Sequence, residues 1–341
     1  MKETKKARLQ SGLAAALCAS TLLTAGVASA DPLVIRVGWQ GAPEKLMPMI
    51  EERRDIAPHE GTSYVVKAMH FGASSAEITA LATGDLNLAT LGYSSYGLAI
   101  ANAHMDDLRI VADVYQDGAP GYFSTQLMVL KTAGINTIED LRGKVLAANG
   151  PGSGGDMAIR EMLRRRGMEE KKDYTLISGP ANNQFPMLAE RKADLVTISV
   201  AQASDPKVEA VAKTLFRVKD ALGITQWSLY AMRKDFIDQH RAQLGDFFED
   251  MLRVNRWMLN PANRPEVIKV FAAFSKEPPE SFGSYLFTKR DFYSDPDCVP
   301  NLDALQKNLQ VMHQLGFLKT EVDVKSHADL SLIEAAKRRL K

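Results

Sequence analysis

From Leu33 to Met232, short β-rich runs alternate with stretches of helical character, and that alternation restricts the fold more than any other feature of the chain. Strands are expected at Leu33 to Val37, Ser63 to Phe71, Leu86 to Leu91, Leu108 to Tyr115, Gln126 to Leu130, Lys144 to Ala148, Thr175 to Ser178, Leu195 to Ser199 and Ser228 to Met232. Helices are expected near Glu44 to Arg53, Ser75 to Thr83, Ser95 to Ala103 and Asp156 to Arg166. Strand and helix alternating at this spacing argue for βαβ units and parallel sheets, an α/β class. From Phe236 onward the pattern turns helical, with Phe247, Met251, Val254 and Met258 in one stripe and Leu302, Leu305, Leu309 and Met312 in another. Both stripes read as core faces.

The length of 341 residues suits two domains. Lys and Arg number 42 against 41 Asp and Glu, so no basic excess exists to neutralise phosphates, and nucleic acid and anionic membranes are poor partners. A small ligand fits better. Residues 1 to 30 carry Lys2, Lys5, Lys6 and Arg8, then a small apolar stretch from Leu13 to Leu23, then Ala28-Ser29-Ala30 before Asp31. This reads as a cleavable signal peptide and implies export to the periplasm. Its removal takes four basic residues and one acidic one, leaving 38 against 40, a mature net charge of −2. Cys18 leaves with it, so Cys298 has no disulfide partner. The leader has no twin-arginine pair, which argues for export of an unfolded chain without a preloaded cofactor.

Three expected strands stop at small residues and open into helices: Gly72-Ala73-Ser74-Ser75, Gly92-Tyr93-Ser94-Ser95, and Gly150-Pro151-Gly152-Ser153-Gly154-Gly155. Each offers backbone N–H donors at a helix N-terminus, where a partial positive charge favours an anion. As plain turns, Ser74 with Glu77 fits a capping box and Ser153 fits a cap for the helix from Asp156. The carboxyl ends of strands in an open α/β sheet face one crevice, so three such turns together favour a ligand. Two enzymatic readings compete. Gly150 to Gly155 satisfies G-x-G-x-x-G, yet the next strand ends in Ser178-Gly179-Pro180 with no acid for a ribose. Ser74 sits in an elbow-like sequence and Asp297 and His327 follow in chain order, as in a serine hydrolase. The six histidines show no metal-ligand spacing, so neither metal nor cofactor is expected.

Leu81 to Ala89, Ile138 to Val145 and Leu188 to Asp194 together resemble the periplasmic solute-binding proteins of ABC importers, in the branch that includes nitrate-, alkanesulfonate-, taurine- and thiamine-precursor-binding proteins. The resemblance runs from about Val34 to Glu334. It implies a type 2 periplasmic-binding-protein clamshell, each lobe a mostly parallel sheet flanked by helices, with a helical C-terminal tail. Residues 31–125 and 226–341 would form the first lobe and 126–225 an inserted second lobe, with crossovers near Phe123 to Met128 and Thr225 to Leu229. Carried over by motif, the ligand contacts are Gln40, Gly72, Ala73, Ser74, Ser75, Tyr93, Ser94, Ser153, Gly154, Gly155 and Trp227, with Gln126 as a further polar contact. Ser199 opens Ser199-Val200-Ala201-Gln202, where many members carry a tryptophan and an acid-proline pair, which points to a ligand shaped differently from the simple sulfonates. The implied protein is a monomeric, non-enzymatic receptor. It closes on a small organic anion, sulfonate or carboxylate, and delivers it to a membrane permease with its ATP-binding subunit. The rivals are an enzyme and a ligand-presenting partner of a membrane sensor.

Overall fold

Ten strands sort into two five-stranded sheets in a computed structural model that describes residues 31–40 and 47–341. The expected leader and the start of the first expected helix lie outside the described residues, and that helix is described from Met47 to Glu52. In chain order the strands are β1 Leu33–Trp39, β2 Tyr64–His70, β3 Leu88–Gly92, β4 Leu108–Asp117, β5 Gln126–Leu130, β6 Lys144–Ala148, β7 Tyr174–Ser178, β8 Leu195–Ile198, β9 Ala212–Arg217 and β10 Thr225–Arg233. The first sheet runs β2-β1-β3-β10-β4 and the second β7-β6-β8-β5-β9.

Each sheet is mixed in the same way. In the first, β1 pairs in parallel with β2 and β3, and β10 pairs antiparallel with both β3 and β4. In the second, β6 pairs in parallel with β7 and β8, and β5 pairs antiparallel with both β8 and β9. Four of the five strands in each sheet therefore run one way, and the reversed strand is the one that arrives from the other sheet. Parallel neighbours need a helical crossover on one face, whereas β5 and β10 enter without one. The expectation of mostly parallel sheets holds in strand direction.

β9 was not expected. Ala212-Lys213-Thr214-Leu215-Phe216-Arg217 carries two cations and lies at a sheet edge, where charged residues are common and the apolar signal is weak.

Both sheets are covered on two faces, and residues Pro32–Lys341 form one compact unit. Phe247, Met251, Val254 and Met258 of the helix Arg241–Met258 pack with Ile35, Val37 and Met232 against one face of the first sheet. Another apolar cluster continues from Leu91 and Tyr96 through Leu127 and Met157 to Leu305, Leu309 and Met312 of the helix Leu302–Gln314. It joins material from both sheets. Cys298 is buried and free, and burial pushes its thiol pKa up.

The two segments that cross between the sheets are tied to each other. Asp117, fully buried at the end of β4, accepts from the Ser124 hydroxyl at 2.5 Å and the Thr125 N–H at 2.8 Å. Ser124 Oγ accepts from the Lys219 N–H at 3.1 Å, and the Val218 N–H donates to the Thr125 carbonyl at 2.9 Å. Thr225 of β10 pairs with Asp117. Gly118 has a φ of +75°, and a Cβ there would stand 2.6 Å from Lys219 Cβ, so only glycine permits the segments to touch. Burial raises the Asp117 carboxyl to about 6 against the pull of these hydrogen bonds.

Candidate functional site

Three helices begin at one cavity of about 460 Å³: Ser74–Thr83 after β2, Tyr93–Ala101 after β3, and Gly154–Arg164 after β6. Ten of the thirteen expected contact residues line it, namely Gln40, Gly72, Ala73, Ser74, Tyr93, Ser94, Ser153, Gly154, Gly155 and Trp227. Ser75, Gln126 and Ser199 do not. Ser75 is exposed, because one residue further along a helix turns a side chain by about 100° away from Ser74. Ser199 is taken up by a reciprocal capping box with Gln202 at the start of the short helix Val200–Ala203. Gln126 lines a different cavity, where its amide oxygen accepts from the Thr214 hydroxyl at 2.5 Å.

The first wall is built on β1 and β3. Gln40 donates through Nε2 to Ser74 Oγ at 2.8 Å and to the Thr90 carbonyl at 2.8 Å, which ties the end of β1 to the second helix start. Ser74 is not the helix cap expected from its spacing to Glu77. The cap position belongs to Ala73, with no side-chain hydrogen bond, and Ser74 is the first helical residue. Glu77 instead turns inward, is fully buried, and accepts from the Thr90 N–H at 2.7 Å. Desolvation pushes its carboxyl up to about 7, against the opposing hydrogen bonds from Thr90 and Gln40. Gly38 makes room for it, since a Cβ there would lie 2.7 Å from Glu77 Oε2.

The second wall is the glycine-rich turn. Ser153 caps its helix as expected, its Oγ accepting from the Asp156 N–H at 3.3 Å. The turn is also held from inside by Asp156, which accepts from the Gly152 N–H at 2.8 Å and from Arg160 Nε at 2.9 Å. Arg160 in turn reaches Glu170 at 2.6 Å. A carboxylate of the helix's own first turn thus already occupies the Gly152 donor that a pyrophosphate would need, which corrects the dinucleotide reading.

Trp227 of β10 closes the site. Its indole lies so near Gly154 that a Cβ there would meet ring atoms at 2.4, 2.7 and 3.0 Å. The ring stacks on Phe292 at 6.0 Å between centroids and stands 6.4 Å from Tyr93. Two hydroxyls around the cavity are buried and have no hydrogen-bond partner among the described residues: Tyr93 Oη and Thr197 Oγ1. Burial drives the Tyr93 phenol far above its ordinary pKa, and the nearby carboxylates of Asp117 and Asp156 add to this. Thr197 was missed from sequence, although β8 ends at the same cavity and the strand-end rule reaches it.

Around the cavity the described lining includes no Asp, Glu, Lys, Arg, His or Cys. The hydrolase reading fails on geometry. Ser74 pairs with Gln40, Asp297 with Arg256 at 2.8 Å, and His327 with the Asp323 carbonyl and Ser326, so the three never meet. Among the described residues no group of three or more His, Cys, Asp or Glu is arranged to hold a metal ion, and no helix is long and apolar enough to cross a membrane.

The family model described as NMT1/THI5 like matches residues 66–264, more than half of the chain. The chain belongs to that family. The fold of this NMT1/THI5-like chain recurs in the periplasmic aliphatic sulphonate binding protein SsuA from Escherichia coli, with a TM-score of 0.69 at 17% identity over 87% of this chain and 97% of the other. It recurs in the periplasmic nitrate-binding protein NrtA from Synechocystis PCC 6803, with a TM-score of 0.68 at 15% identity over 91% and 89%. It also recurs in the desulfurization enzyme DSZB, with a TM-score of 0.66 at 14% identity over 91% and 100%. The same fold is thus found in two binding proteins and in an enzyme, so the fold alone does not assign a function.

Proposed function

We propose that this chain is the periplasmic substrate-binding component of an ABC importer. It binds a small organic anion, of sulfonate or carboxylate type, between two lobes and hands it to a membrane permease and its ATP-binding subunit. Residues 31–125 with 226–341 form one lobe around the first sheet, and 126–225 form the other around the second. The leader directs export and is removed before Asp31, and the mature protein acts as a monomer without catalysis.

The observation that carries this reading is one cavity onto which three helices of nine to eleven residues open, with no charged side chain in its described lining. Such a place stabilises negative charge through backbone dipoles, and the serine, threonine and tyrosine hydroxyls in its described lining have no carboxylate or imidazole beside them there to activate them for turnover. Each helix terminus contributes about 0.3 to 1 kcal/mol, whereas micromolar affinity requires about 8 kcal/mol. The remainder comes from hydroxyl donors, burial against Trp227 and Leu98, and exclusion of water.

A thermal-shift screen over nitrate, taurine, alkanesulfonates, aromatic acids and pyrimidines tests the proposal. A true ligand at 100 times its Kd stabilises by about 2.7 kcal/mol. No shift from any class defeats the receptor reading, and conversion of the bound compound would make the protein an enzyme.

A further inference from the structure

Gln126 leads to a second cavity, of about 310 Å³, beside the segments that cross between the sheets. Its wall holds Arg217 at the end of β9, Lys219 in the helix Val218–Leu222, and Lys289 and Arg290 after the helix Glu280–Gly283, against a single carboxylate, Glu209. Four cations and one anion leave an excess of three positive charges around one small space. None of the four cations is held in an ion pair by a described residue. Lys289 rests 3.7 Å over the Tyr122 ring, and Lys219 acts on the buried Asp117 only as a nearby favourable charge.

An aromatic row separates this cavity from the first. Trp227 lines the first cavity and Phe123 the second, with Phe292 between them at 6.0 and 5.2 Å. The two also differ in chemistry, since one has no charged lining residue and the other has five. We propose that the second cavity is a separate binding site for a small polyvalent oxyanion of the sulfate or phosphate kind, free or as the end group of a phosphate monoester. Several oxygens on one centre give each cation its own acceptor, and guanidinium groups bind such centres in bidentate fashion. A singly charged anion cannot compensate several cations at once. Arg217 and Lys219 come from the segment carrying the second sheet, and Lys289 and Arg290 follow β10, so the bound ion bridges the two parts of the chain. The proposal is independent of what fills the first cavity.

The test is calorimetric titration of the purified mature chain at low ionic strength with inorganic phosphate, sulfate, methyl phosphate and nitrate. Phosphate or sulfate binds the parent protein with millimolar affinity or better, and nitrate binds at least about tenfold more weakly, a difference of 1.4 kcal/mol. The double substitutions Arg217→Ala with Lys289→Ala, and Lys219→Gln with Arg290→Gln, each weaken phosphate at least about tenfold, while circular dichroism stays unchanged because all four side chains are exposed. Binding of methyl phosphate identifies an esterified end group, and its exclusion identifies the free ion. Absence of phosphate and sulfate binding by the parent, undiminished binding by both variants, or nitrate binding as tight as phosphate that the double substitutions also weaken, overturns the proposal.

Discussion

The indole of Trp227 and the backbone of Gly154 are in contact across the two sheets, and a methyl group on Gly154 would stand 2.4 Å from the ring. Gly154→Ala therefore forces the two elements apart. Overpacking of this sort costs about 1 to 3 kcal/mol, and here it falls at the wall of the cavity. The variant is expected to bind its ligand about tenfold or more weakly by calorimetry. Unchanged affinity would mean that the ligand-bound form does not use the contact.

Thr197→Val removes a hydroxyl that has no hydrogen-bond partner among the described residues and keeps the side-chain shape. The apo variant should melt at the same temperature as the parent or higher, since a buried unpaired hydroxyl carries a desolvation cost. Ligand affinity should fall by about 0.5 to 1.5 kcal/mol, the usual net value of one hydrogen bond. Lower apo stability with unchanged affinity would make Thr197 a packing residue only.

Ser74→Ala separates binding from capping, because Ala73 and not Ser74 holds the cap position. Loss of a hydroxyl that meets a charged group costs about 1.5 to 3 kcal/mol of affinity, while a lost cap would cost stability of about 1 kcal/mol. Gln40 keeps its bond to the Thr90 carbonyl in the variant. A weaker ligand response at an unchanged melting temperature is expected, and an early-melting variant with full affinity would reverse the assignment.

Glu77 sets a pH dependence of stability. Its pKa rises from 4.5 to about 7 on folding, so between those values the folded state holds more protons than the unfolded one. Stability from this group is fully present below about 4.5 and is lost as pH climbs through about 7. Glu60, raised to about 7 by burial, acts in the same direction, and Asp117 does so up to about 6. Denaturation midpoints measured from pH 4.5 to 8 should therefore fall across that window. Glu77→Gln should flatten the slope by at most about 1.36 kcal/mol per pH unit, one proton's share. An unaltered slope in the variant would place the titration elsewhere.

Much of the cavity was visible in the chain because three small-residue turns fall at strand ends that share one crevice, with Gly72, Gly92 and Gly150 to Gly155 where β2, β3 and β6 stop. Thr197 was hidden by its type. A threonine inside a β-branched run reads as a strand former, and only pairing β8 beside β6 brings it to the cavity. Ser74 and Glu77 show the reverse, since their spacing allows a capping box but burial of the carboxylate against Thr90 prevails. Ser199 was lost to the same kind of competition, its hydroxyl serving Gln202. β9 escaped notice because Lys213 and Arg217 interrupt its apolar pattern at a sheet edge.

The bonds from Asp117 to Ser124 and Thr125, and from Thr125 to Val218, have a consequence for how such a chain is assembled and altered. The stretch that builds the second sheet leaves the first sheet and returns to it at a single junction, so it has the form of a cassette spliced into a host at one socket. A cassette taken from a relative meets the host's spacing whatever its own length. What it must match is the packing at Leu305, Leu309 and Met312, where host and cassette share one apolar cluster. Replacement of the stretch that builds the second sheet is therefore limited by a seam of side chains more than by the lengths of its loops.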